Sequence, residues 1–132
     1  MRAVLIAVLM APVAALAGGF LDAGGFDALT RGKTFYYSSG GAPYGAEEYL
    51  EGQRVRWSFL DGECAEGKWW QEGEMICFAY DRDGPGETHC WTFESGPNGL
   101  VARFENDPEG RVLYEVKQSD EPMYCKGPKI GV

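Results

Sequence analysis

Glu74-Met75-Ile76-Cys77-Phe78-Ala79-Tyr80-Asp81-Arg82-Asp83-Gly84-Pro85-Gly86-Glu87-Thr88-His89-Cys90-Trp91-Thr92-Phe93-Glu94 is the stretch whose reading decides the fold. Its two outer runs alternate with the period of a half-buried strand. Its middle, from Asp81 to Gly86, is built of turn formers. Ile76, Phe78 and Tyr80 fall on one face of the first run and Cys77 on the other. Trp91 and Phe93 fall on one face of the second run and Cys90 on the other. The two cysteines are equidistant from the middle of the turn, between Asp83 and Gly84. A hairpin closing there sets them opposite one another, within disulfide reach. Periodicity and pairing agree, since both place the cysteines on the face away from the aromatics.

Working outward, Thr34-Phe35-Tyr36-Tyr37 is β-branched and aromatic and predicts a strand. Residues 38–43 predict a loop and 46–50 a short strand. Residues 54–59 alternate, with Val55, Trp57 and Phe59 on one face. Asp61-Gly62 is a hairpin signal. Residues 68–71 form the next strand, closed by Glu72-Gly73. A two-residue turn at Asp61-Gly62 puts Trp70 on the core face, whereas one at Glu72-Gly73 puts Trp69 there. A bulge or a longer first loop must resolve the conflict, and Trp69 is preferred because it then shares a face with Ile76. Leu100, Ala102 and Phe104 alternate in a further strand, followed by a turn over 106–110. Val112, Tyr114 and Val116 define the last strand. Residues 117–132 lack periodicity and predict a tail pinned by Cys125. At the other end, 18–25 predict a loose N-terminus and 26–31 a helical turn ended by Gly32.

About eight short strands with a turn signal every 8–12 residues predict an all-β fold, a small antiparallel barrel or sandwich. Hairpin connections favour an up-and-down meander, and one that closes on itself has no exposed edges. Trp57, Trp69, Phe78, Tyr80, Trp91, Phe93, Phe104 and Tyr114 are then candidates for its interior. At this size side chains either fill a barrel or leave room for one small ligand, and the sequence leaves both open. Trp57, Trp69, Tyr80, Trp91 and Tyr114 are the candidate ligand-facing residues.

The compartment follows from the N-terminus and the cysteines. Arg2, an apolar run over residues 3–16 and Ala15-Leu16-Ala17 have the form of a signal peptide over 1–17. The run is shorter than the ~20 residues that span a bilayer. Cleavage leaves a β-domain over 18–132 with 11 basic and 20 acidic side chains, net −9, and no membrane span. Such a charge disfavours nucleic acid and anionic lipid and suits a cationic envelope or secreted protein as partner. Four cysteines in a short exported chain imply disulfides. With Cys77 and Cys90 paired across the hairpin, Cys64 and Cys125 remain for each other. The scattered cysteines do not resemble a zinc site.

No catalytic, cofactor-binding or metal-ligating residue is expected, and no enzyme activity. His89, the single histidine, shares a face with Trp91 opposite Phe78 and has no nucleophile motif beside it. Asp81, Asp83 and Glu87 lack the spacing of an EF-hand loop. Glu47-Glu48, Glu63, Glu66 and Asp120-Glu121 supply carboxylates with no reason to pair.

Leu29-Thr30-Arg31-Gly32-Lys33-Thr34, Gly67-Lys68-Trp69, Ile76-Cys77-Phe78 and Cys90-Trp91 resemble motifs of small exported proteobacterial proteins of unknown function. Tyr44-Gly45 and Glu48-Tyr49 are similar to their second strand. The resemblance implies a periplasmic or secreted, lipocalin-like β-domain with no established activity, and supplies no catalytic residues. The expected function is an exported binding module for a small apolar or aromatic ligand or an envelope protein. The alternative is an inhibitor of a lysozyme or protease, inserting residues 18–27 or 38–45 into its target.

Overall fold

The computed structural model describes residues 19–107 and 109–126. The expected leader over 1–17 lies outside them. Eight strands follow one another around a closed antiparallel barrel: β1 (Thr34–Ser39), β2 (Ala42–Tyr49), β3 (Arg54–Ser58), β4 (Ala65–Glu72), β5 (Met75–Tyr80), β6 (His89–Gly96), β7 (Gly99–Phe104) and β8 (Val112–Ser119). Each strand pairs with its sequence neighbour, and β8 closes on β1. The expected meander is therefore a barrel, and closure leaves no sheet edge to template aggregation.

The deciding hairpin is β5–β6. Cys77 pairs with Cys90, Ile76 with Trp91 and Phe78 with His89. Cys77–Cys90 and Cys64–Cys125 are both disulfides. They are consistent with an oxidising environment.

The conflict around the tryptophans is resolved by a longer first loop. Val55 pairs with Gly67, not Lys68, leaving residues 59–64 to connect β3 and β4. The next turn is Gly73-Glu74, one place later than expected, since Glu72 pairs with Met75. Moving a hairpin turn by one residue shifts the partners by two, which preserves the faces. Trp69 accordingly packs in the core at 3% exposure, while Trp70 is half-buried on the other face.

Strand β8 corrects the expectation. Val112, Tyr114 and Val116 point outward, and Tyr114 is half exposed. Leu113 points inward instead, because it pairs with the fully buried Ala102. Val112-Leu113-Tyr114 is apolar at every position, so alternation could not choose a face. The pairing with β7 does. Residues 38–43 are likewise not an open loop: β1 runs to Ser39, Gly40 and Gly41 make the turn at positive φ, and Ala42 begins β2.

Helix α1 (Ala23–Thr30) closes the end of the barrel where β1 begins. It is longer than the expected single turn and starts inside the stretch expected to be loose. The Asp22 side chain caps it, accepting from the Gly25 N–H at 2.8 Å. The Leu21 N–H donates to the Phe93 carbonyl, and the Gly32 N–H to the Tyr49 carbonyl. These bonds hold Phe26 in the barrel axis at 0% exposure. Its ring meets Tyr49 and Trp69 edge-on at 5.4 and 5.1 Å between centroids, and tilts against Phe93 at 4.6 Å. Edge-to-face geometry brings the positive ring edge onto a negative ring face. The lower half of the barrel is thus packed solid.

The C-terminal segment is a strap. It leaves β8 beside β1, and the Glu121 carbonyl accepts from the Thr34 hydroxyl. It reaches the β3–β4 loop, where Cys125 binds Cys64 and the Lys126 N–H donates to the Gly62 carbonyl. It therefore crosses the outer face of β1–β3. That crossing accounts for the burial of Thr34, Ala46, Glu48 and Ser58, which point away from the core, and of Met123. Under it, Arg56 Nε lies 3.1 Å from Glu48 Oε1, an ion pair by distance that is not aligned as a hydrogen bond.

Candidate functional site

The end of the barrel opposite α1 is hollow. A cavity of about 170 Å³ opens there. Its walls come from inward positions of successive strands: Tyr37 from β1, Tyr44 and Glu47 from β2, Trp57 from β3, Tyr80 from β5, and His89 and Trp91 from β6. Two glycines make room for the rings. A Cβ on Gly45 would run into the Trp57 ring, and one on Gly67 into Tyr80 and the Ala79 carbonyl. The indole and the phenol thus lie flat against bare backbone, which pins them to the wall. Trp57 packs further against Tyr44 at 5.7 Å and Phe59 at 5.4 Å, and Tyr80 stacks on Phe78 at 6.4 Å.

Glu47 is the polar feature of this wall. It is 2% exposed, although its neighbour Glu48 faces the other way. The Tyr80 hydroxyl donates to Glu47 Oε1 at 2.8 Å. Oε2 has no partner, and no Lys, Arg or His of the described residues pairs with this carboxyl. Burial pushes the carboxyl from 4.5 up to about 8, against a smaller opposing effect of the Tyr80 hydrogen bond. At neutral pH the group is mainly the neutral acid. Just below it the Tyr37 and Tyr49 hydroxyls share a hydrogen bond of 2.8 Å. Burial raises both phenols well above their ordinary range.

The mouth is organised by the β5–β6 loop. Asp83 folds back so that its Oδ2 lies 2.9 Å from His89 Nε2, with Glu87 Oε1 at 4.0 Å. Asp83, Glu87 and His89 bring one potential ligand atom each within a common 4.8 Å. The Asp83–His89 pair already gives two of the three a partner. The cluster acts as a tether that holds the loop beside the cavity. Glu72, Cys77 and Cys90 also cluster, but both sulfurs belong to the disulfide. Two arginines stand over rings at the rim: Arg111 over Tyr44 at 4.7 Å, and Arg82 over Phe59 at 5.5 Å. From the mouth a groove of about 620 Å³ continues past Trp91 and Phe104 to Tyr114.

Of the candidate ligand-facing residues, Trp57, Tyr80 and Trp91 line the cavity. Trp69 lies in the packed half against Phe26, and Tyr114 stands on the outer face beside the groove. Glu47 was missed. Its signal was present: adjacent acids in a strand must face opposite sides, so one of Glu47 and Glu48 had to point inward, and Tyr49 shares that face with Glu47. Comparison of the chain with protein-family models, with curated proteins and with solved structures found no match to any of them.

Proposed function

We propose that this protein is an exported binding module that holds one small molecule in the cavity at the open end of its barrel. The observation that carries this reading is the asymmetry of the interior. One end is filled by Phe26 and its ring of aromatics, while the other keeps a pocket walled by Trp57, Tyr80 and Trp91 around the unpartnered Glu47. A buried polar atom without a partner costs on the order of 1–3 kcal/mol. A barrel selected only for stability would gain by replacing it, and a perturbed ionisable group in a concave site marks a candidate functional site. Export draws on the leader-like residues 1–17, on the motif resemblance and on the two disulfides.

The inhibitor reading needs a projecting element. Both candidate segments are tied down: 19–27 by α1 and its contacts, 38–45 by the β1–β2 ladder. The ligand reading is therefore preferred. Native mass spectrometry of protein taken from its own cell envelope tests it. The expected result is a mass excess of one small molecule that disappears on denaturation. An empty protein whose melting temperature does not move across a lipid and aromatic panel would remove the proposal.

A further inference from the structure

We infer that the ligand of the upper cavity is a small organic cation, an amine whose ammonium group meets Glu47 and whose carbon body lies between Tyr44, Trp57 and Tyr80. The inference rests on the cavity reading above and adds the chemistry of the occupant. A purely apolar guest would fill the rings but leave Glu47 Oε2 without a partner. An anion would find no basic side chain paired with this carboxyl among the described residues to meet its own charge. An ammonium donates to Oε2 while Tyr80 continues to hold Oε1, so both oxygens become satisfied.

The aromatic faces point the same way. A cation over a ring face is attracted by the ring quadrupole, most strongly where water is excluded. Rings at this mouth already carry cations, since the chain's own Arg111 and Arg82 sit over Tyr44 and Phe59. Deeper in, the Trp57 and Tyr80 rings line the same cavity. The surrounding field favours a positive guest as well. With the Glu47 carboxyl neutral, Asp83, Asp107 and Glu109 line the cavity and its groove against Arg82 and Arg111, three acids to two bases, with His89 held by Asp83. Size sets the body. A closed cavity of about 150 Å³ accepts one benzene ring, so a space of about 170 Å³ that opens upward takes one ring, or a short alkyl chain, with its amine.

The proposal carries a proton balance. The free carboxyl is mainly neutral at pH 7 and the free amine is protonated. Their union as an ion pair releases the carboxyl proton to the buffer. The groups facing this carboxyl are the Tyr80 hydroxyl of β5, the Tyr37 hydroxyl of β1, Tyr49 of its own strand and, at the rim, Asp83 and His89. Burial holds the three phenols among these well above their ordinary range, so they stay protonated as the carboxyl gives up its proton.

Calorimetry on the disulfide-intact protein tests this, with benzylamine and n-butylamine against benzyl alcohol, n-butanol and benzoate. The amines are expected to bind at least about tenfold more tightly than their alcohols, and benzoate not to compete. Titration at pH 7 in buffers of different ionisation enthalpy is expected to show release of close to one proton per amine bound. Glu47→Gln is expected to weaken the amines about tenfold or more and leave the alcohols unchanged. Alcohols that bind as well as amines, or amine binding without proton release, would overturn the cation and leave the cavity reading standing. If none of the five binds and no Trp57 or Trp91 resonance shifts, the cavity reading itself falls and takes this inference with it.

Discussion

Between pH 4.5 and about 8 the Glu47 carboxyl is charged in the unfolded chain and neutral in the folded barrel. In that window the native state binds the extra proton, so stability falls as pH rises. The contribution is complete below 4.5 and has been lost once the pH passes about 8. Its size is on the order of a few kcal/mol. Glu47→Gln removes the titration while keeping the shape. Thermal unfolding of both proteins from pH 5 to 8.5 should show a difference that grows with pH in favour of the variant, about several degrees in melting temperature by the upper end. Two parallel stability profiles would mean that Glu47 is solvated. The same residue shows why single positions are hard to read from sequence. Alternation anchored by the cysteine pair told which side Ile76, Phe78 and Trp91 take, because Cys77 and Cys90 had to meet on the other face. It gave no answer for Leu113 and Tyr114, where apolar residues stand on both sides and only the partner Ala102 decides.

Among the elements, helix α1 was the hardest to anticipate. Ala23-Gly24-Gly25-Phe26 has poor helix propensity, and the helix is there because tertiary contacts hold it: Asp22 at its cap, the Ala23 N–H donating to Gln71 Oε1 at 2.7 Å, and Phe26 in the aromatic ring below the cavity. Phe26→Ala removes that plug and should cost about 3–5 kcal/mol in chemical denaturation. A loss below about 1 kcal/mol would show that the helix only lies against the barrel. The two staples differ in reach. Cys77–Cys90 closes a short hairpin and Cys64–Cys125 a separation of 61 residues, for about 3 and about 4 kcal/mol in the chain-entropy model. They differ also in access, since Cys77 and Cys90 are buried whereas Cys64 and Cys125 are half-buried. Mild reductant is expected to open the strap first and leave the hairpin bond intact, as mapping of alkylated peptides would show. Reduction in the reverse order would mean that the strap is more tightly bound than its exposure implies. The hairpin pairing was legible because residues 77 and 90 lie close in sequence about one turn. The strap was reached by elimination, and its path across β1–β3 has no local sequence signal at all.

At the scale of the whole molecule, the sequence left a filled or a hollow barrel open, and this barrel is both. Periodicity assigns a residue to the inside or the outside. It does not say how high along the axis that residue stands, because height depends on strand stagger and on what enters from the ends. Phe26 enters from one end and fills it; nothing of comparable size enters from the other among the described residues. The plugged end also bears on processing. Among the described residues the first backbone bond to the barrel is made by the Leu21 N–H, a few residues after the cleavage point expected behind Ala17. Protein recovered from its own cell is expected to begin near Gly18 and to show no free thiol when denatured without reductant. N-terminal sequencing and thiol titration of one sample check both. A chain that retains residues 1–17 and reacts at all four cysteines would place this barrel in a reducing compartment, where it would lack both staples and the stability they add.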